Sequence, residues 1–207
     1  MYAAVERLLS NERFSTYLTH AKGDREKAFH LYTYNSRLSS SLFEVIGGLE
    51  VALRNSVHLT LTRAFGSDAW YDHVPFSWAQ YEERALNRAK AQIRSRRKSI
   101  APGRVIAELT FGFWCGMTGK LYSRSLWIPS LHKAFPHKKL GHKDAYRRLN
   151  EIRELRNRIA HHECILHLDP VGGFNDILGT LDWICPSTRA WIEANSSFQK
   201  IWASPPT

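Results

Sequence analysis

None of the three cysteines stands in a C-x-x-C pair, and no apolar run approaches the length of a bilayer span. An odd set of unpaired thiols (Cys115, Cys164 and Cys185) gives no disulfide framework and reads as reduced cysteine in a reducing compartment. The lack of roughly 20 consecutive apolar residues leaves no candidate membrane helix. The opening M-Y-A-A-V-E-R-L-L-S-N-E-R has neither a basic n-region nor a long apolar core, so the expectation is a cytoplasmic protein without a signal peptide. Strand-type alternation is scarce and no repeat is visible. What remains is an all-α reading.

The 207 residues suffice for one domain with a substantial core, and seven Trp, eight Tyr and ten Phe can fill it. Ser10-Asn11-Glu12-Arg13 marks a helix start, with the stop near Gly23. Asp24 caps a long apolar pattern that runs from Phe29 through Leu38, Leu42, Leu49, Leu53 and Leu61 to Gly66. That span is long for one plain helix, so a kink or break is expected at Asn35-Ser36 or Gly47-Gly48. A loop at 72–75 follows, then a helix from Ser77 that ends before Pro102-Gly103. Two short aromatic helices are expected over 105–113 and 114–122, and another over 126–135. The basic loop 136–142 delivers the chain to a helix from Asp144 to about His161. Pro170 and Gly172-Gly173 read as a break before closing helices over 174–184 and 187–202. Elements joined this briefly pack as an antiparallel helical bundle.

A net charge of +10, with ten histidines besides, favours anionic partners, nucleic acid first. The helix over 82–98 carries Arg84, Arg88, Lys90, Arg94, Arg96, Arg97 and Lys98. These cations crowd toward its C-terminal end, where they suit the helix dipole or can receive a phosphate backbone.

The most specific feature is Arg156-Asn157-Arg158-Ile159-Ala160-His161, an R-N-x-x-x-H string. Arg, Asn and His at fixed offsets should arise by chance in roughly one chain in a hundred of this length. At about 100° per residue, Ala145, Leu149, Ile152 and Ile159 form one apolar stripe, widened by Leu155. Asn150, Asn157 and His161 fall on the neighbouring stripe, with Arg153 and Tyr146 at its edge. Glu151, Arg153, Glu154 and Arg158 also fit an ordinary charged surface helix. Arg156, however, stands at the apolar margin, where a guanidinium loses water and needs a carboxylate, phosphate or carbonyl partner. Arg clamps phosphate bidentately and His moves protons near neutral pH. Together they meet the needs of RNA cleavage without a metal, and Arg156, Asn157 and His161 are the candidate catalytic set.

Four segments resemble the bacterial Abi-like (abortive-infection D/F type) proteins: Leu31-Tyr32-Thr33-Tyr34-Asn35 with Leu38-Ser39; Leu49-Glu50-Val51-Ala52-Leu53-Arg54-Asn55; Glu108 to Trp114; and Leu155 to His162. They cover roughly residues 24–185, within one domain spanning 1–207. The resemblance implies the HEPN superfamily: an all-α fold whose R-N-x-x-x-H signature marks metal-independent ribonucleases, typically dimeric phage-defence or toxin–antitoxin effectors. It makes Arg156, Asn157 and His161 catalytic, and implies RNA as substrate, a homodimer, and an antitoxin (protein or small RNA) as a further partner. Glu50, Arg54 and Asn55 match a second family motif. Glu50 can pair with Arg54 at i,i+4 or serve as the partner Arg156 needs. Asn150, Arg153 and His162 are supporting or substrate-binding candidates, while His58 forms R-N-x-x-H with Arg54 by coincidence.

No cofactor and no metal are expected. His161, His162, Cys164 and His167 invite a metal reading, but zinc sites of known type use other spacings and usually a second ligand pair. Two other classes stay open: a non-catalytic RNA- or nucleotide-binding module, and a DNA-binding regulator. The dispersed basic residues and the lack of a helix-turn-helix pair weigh against the regulator.

Overall fold

The computed structural model describes residues 2–206, and every regular element among them is helical. One helix organises the rest. Asp24 accepts the Lys27 amide at 3.0 Å and opens α3 (Arg25–Phe65), which closes on Gly66 in the left-handed region at φ 67°. The expected break does not occur. Leu38, Leu42, Val45, Ile46, Leu49, Leu53, Val57 and Leu61 are all buried, so one unbroken stripe is covered along its length and packing holds the helix through both suspect sites. Gly48 is small because α9 crosses there: a Cβ would stand 2.6 Å from Ile192 Cδ1. Asn35 is buried because it serves a loop far away in sequence, as described below.

Around α3 lie α1 (Tyr2–Leu9), α2 (Asn11–His20), α4 (Gln80–Ser95), α5 (Pro102–Glu108), α6 (Phe111–Gly116), α7 (His142–Ala160), α8 (Pro170–Ile184), α9 (Pro186–Asn195) and α10 (Phe198–Trp202). The start of α4 is three residues later than expected from Ser77. The Trp78 indole donates to the Tyr71 carbonyl and the Ala79 amide to the Tyr122 hydroxyl, both at 2.9 Å, which holds 77–79 extended. The break between the aromatic helices falls at Leu109-Thr110 rather than after Phe113. Residues 120–134 form short 3₁₀ and π turns instead of one helix. Pro170 begins α8 rather than interrupting it, since proline suits the first helical position and Asp169 caps the Gly172 amide at 2.9 Å. Gly173 then lets α7 approach, a Cβ there lying 2.8 Å from Leu155 Cδ2. The closing segment divides at Ser196-Ser197 into α9 and α10.

A large apolar cluster centred on α3 contains Trp70, Phe113, Trp114, Leu149 and Leu181. A smaller one, of Phe14, Tyr17, Ala21, Ala28 and Phe29, fastens α2 to the start of α3. No helix among the described residues is long and apolar enough to cross a membrane.

His58, the near-match to the signature, has a structural task. Its Nδ1 accepts from Trp70 Nε1 at 3.0 Å, and burial lowers its pKa below 6.5 against the opposing pull of Asp68. The acceptor nitrogen must be unprotonated. A depressed pKa gives stability that is present above 6.5 and lost as pH falls through the folded-state value. Denaturant titrations should therefore show a loss of roughly 1 kcal/mol on acidification through this range. In His58→Gln, whose amide oxygen accepts without titrating, this component should vanish. An unchanged pH profile in His58→Gln would refute the assignment.

Candidate functional site

The motif helix is α7, and its apolar stripe behaves as its spacing requires: Ala145, Leu149, Ile152 and Ile159 are buried. That fixes the rotation of the helix and turns Arg153, Arg156 and Asn157 toward α6. They line a pocket of about 250 Å³ with Tyr81, Thr110, Phe111 and Gly112. Two of the four sequence motifs thus share one cavity. Gly112 permits the closure, since a Cβ there would stand 2.5 Å from the Tyr81 hydroxyl oxygen. The Arg153 Nε is buried without a partner and the Arg156 guanidinium lies 5.7 Å from the centroid of the Phe43 ring.

A third motif stands behind the pocket. Burial pushes the Glu50 carboxyl above its usual range, while Arg156, Arg54 and the Phe111 amide, which donates to it, pull it back. Arg156 and Arg54 are thus electrostatic neighbours of Glu50 rather than contact ion pairs, and the first amide of α6 is its other polar neighbour. The Glu50 charge offsets part of the positive charge of the two guanidiniums near the pocket. Asn55 is exposed on the outer face of α3 and does not reach this cavity. Asn150 donates to Glu154 Oε1 at 2.8 Å, one turn along its own helix, and lies outside the pocket.

His161 is not in the pocket lining. It is the C-cap of α7, exposed, with its amide donating to the Asn157 carbonyl at 2.9 Å and its carbonyl receiving Arg13 Nη2 at 3.3 Å. It stands one turn beyond Asn157. His162 adopts a left-handed φ of 56° and faces a different cavity of about 470 Å³, with Tyr17, Tyr32, Ser39 and Phe43 among its walls. The chain after it is pinned by the remaining motif: Asn35 Nδ2 donates to the Glu163 carbonyl at 3.2 Å, and Asn35 Oδ1 accepts the Ile165 amide at 2.8 Å. Asn35 is thus a positioning residue for the segment that carries His161. In the sequence it was marked by its place in a motif and as a candidate helix break, not by this task.

Beside the pocket, and sharing Tyr81 and Thr110 with it, runs a groove of about 610 Å³ lined by Arg84, Arg88, Gln92 and Glu108. It runs between the basic helix and residues 108–110, and meets the motif helix through the adjoining pocket, a continuity that linear sequence did not show. The pocket lining itself contains no carboxylate among the described residues. Cys164 and His167 group with His20 of α2, not with His161 or His162.

An all-α bundle in which the separated motifs converge around an Arg–Asn–His helix end defines the class. The model of the Abi-like protein family matches residues 8–167, and the chain belongs to that family. No curated protein and no solved structure matches it.

Proposed function

We propose that this chain is a metal-independent endoribonuclease of the HEPN type, acting as a phage-defence or toxin effector. The observation that carries this reading is the pocket of Arg153, Arg156 and Asn157, backed by Glu50 and opening onto the Arg84–Arg88 groove. The groove receives the phosphate backbone and the pocket holds the scissile phosphate. RNA supplies its own nucleophile. A base takes the proton of the 2′-hydroxyl, whose oxygen attacks the adjacent phosphorus. The bond to the 5′-oxygen breaks and an acid protonates that leaving oxygen. The products are a 2′,3′-cyclic phosphate and a 5′-hydroxyl. Arg156 neutralises charge on the pentacoordinate phosphate, Asn157 orients it, and His161, one turn beyond Asn157, exchanges the proton.

Cleavage of purified RNA should persist in EDTA, leave cyclic-phosphate ends, and spare DNA, which lacks the 2′-hydroxyl. A requirement for a divalent ion, or DNA cleavage at a comparable rate, would overturn the mechanism. One observation favours a binding-only module instead: His161 lies outside the pocket. RNA bound with strong salt dependence but left uncut would be its signature.

Acid and base are both needed, while each chain presents one motif His, so the active form proposed is a homodimer. Exposed apolar side chains on α3 offer surface for it: Val51 stands on the outside of the helix, and Phe43, also exposed, adjoins Arg156. Val51→Glu should yield monomers with little activity by light scattering and cleavage assay. Mixed dimers of wild type with His161→Ala should lose most activity, whereas half activity would mean that each chain works alone.

A further inference from the structure

On the other side of the α7 terminus, His20, Cys164 and His167 bring one nitrogen, one sulfur and one nitrogen to within 4.8 Å of one another. His20 ends α2, and the other two belong to the loop between α7 and α8. We propose that these three side chains form a zinc-class metal site that ties α2 to the loop following the R-N-x-x-x-H helix. This goes beyond the ribonuclease reading and does not rest on it.

The donor set selects the ion. Two imidazoles and a thiolate suit zinc and its borderline-soft neighbours, whereas calcium and magnesium require oxygen ligands. Tetrahedral zinc, with bonds of about 2.0–2.1 Å to nitrogen and 2.3 Å to sulfur, sets its ligand atoms roughly 3.3–3.7 Å apart. The observed spread closes by about 1 Å through rotation of His20 and His167, both of which are exposed and free to turn. Three protein ligands leave a fourth vertex on the solvent side for water.

A second observation points to the same ligand. The Tyr17 hydroxyl, on a residue 1% exposed, has the Cys164 thiol as its polar neighbour and makes no well-formed hydrogen bond to any other group. A metal-bound thiolate accepts hydrogen bonds, and the Tyr17 O–H is placed to donate one, as the outer partners of zinc ligands do. The Cys164-x-x-His167 pair is local and visible in the sequence. The third ligand comes from a helix well over a hundred residues earlier, so spacing alone could not reveal the set.

The site has a mechanical consequence. α2 is otherwise fastened by its small apolar cluster, and from the same helix Arg13 reaches the His161 carbonyl at 3.3 Å. A bound ion adds a second tether between α2 and the backbone that presents His161.

The test uses the full chain, stripped of metal and titrated with Co(II). Wild type should bind one ion per chain, with a sulfur-to-cobalt charge-transfer band and intense visible bands of tetrahedral cobalt, and zinc should displace it. Cys164→Ser should lose the charge-transfer band. His20→Ala and His167→Ala, at exposed positions, should each weaken binding at least about ten-fold. His161→Ala should bind as wild type does. Zinc at a hundred-fold excess over Kd should raise Tm by roughly 5–10 °C. The proposal is overturned by absence of the charge-transfer band at millimolar cobalt, by unchanged binding in His20→Ala, or by loss of binding in His161→Ala. None of these readouts involves RNA, so the metal site and the ribonuclease reading fail separately.

Discussion

Replacing His161 with alanine is expected to lower RNA cleavage by at least about a hundred-fold, and up to about ten-thousand-fold, the range seen when a positioned acid or base is removed. The fold should survive. His161 is exposed, and the bonds it makes to Asn157 and Arg13 use its backbone amide and carbonyl, which alanine retains. Thermal denaturation should therefore coincide with wild type, and RNA affinity should fall little. Expression of the wild type should slow bacterial growth, while His161→Ala is tolerated. If His161→Ala cut RNA at the wild-type rate, the proton-transfer role would move elsewhere, His162 being the nearest imidazole.

Arg156→Ala carries an equally large effect on cleavage, on the order of a hundred-fold or more, because it removes charge from beside the phosphorus. It differs in its effect on the fold. Glu50, already pushed upward by burial, loses the first of the charges that oppose that shift. The cost should be at most about 1 kcal/mol, because Glu50 and Arg156 are both half-buried and do not form a contact ion pair. The pH dependence has a definite sign. A carboxylate with a raised folded-state pKa is neutral in both states below 4.5 and bears the full penalty only above its folded value. The deficit of Arg156→Ala should therefore be largest near neutrality and shrink on acidification. Adding Glu50→Gln should restore stability without restoring cleavage. Should the double variant be as unstable as the single one, Glu50 and Arg156 are not coupled as proposed.

The helices were legible where one buried stripe dictates them. α7 follows the spacing of Ala145, Leu149, Ile152 and Ile159 within two residues at its start and one at its end. Arg156, expected to need a partner, stands half-buried with the Glu50 carboxyl as an electrostatic neighbour and the Phe43 ring at 5.7 Å. What misled was punctuation. Asn35-Ser36 and Gly47-Gly48 look like breaks in a local window, yet Asn35 reaches across to Glu163 and Ile165, and Gly48 makes room for Ile192. Pro170 and Gly173 likewise serve a cap and a helix crossing. Each choice is settled by a residue distant in sequence, to which local periodicity is blind. The same limit hid the meeting of Tyr81, Thr110 and Gly112 with Arg153, and of His20 with Cys164 and His167.

The unbroken α3 also governs how the molecule moves through solvent. At 1.5 Å per residue, its 41 residues make a rod of about 60 Å. A spherical chain of this size would measure only roughly 43 Å across, from a radius of gyration near 17 Å. Friction therefore follows the long axis, and a single chain should elute from a sizing column ahead of its mass. Such an early peak mimics association. The subunit count belongs to methods that weigh particles, such as sedimentation equilibrium or light scattering, and the maximum dimension in small-angle scattering should exceed 60 Å even for one chain.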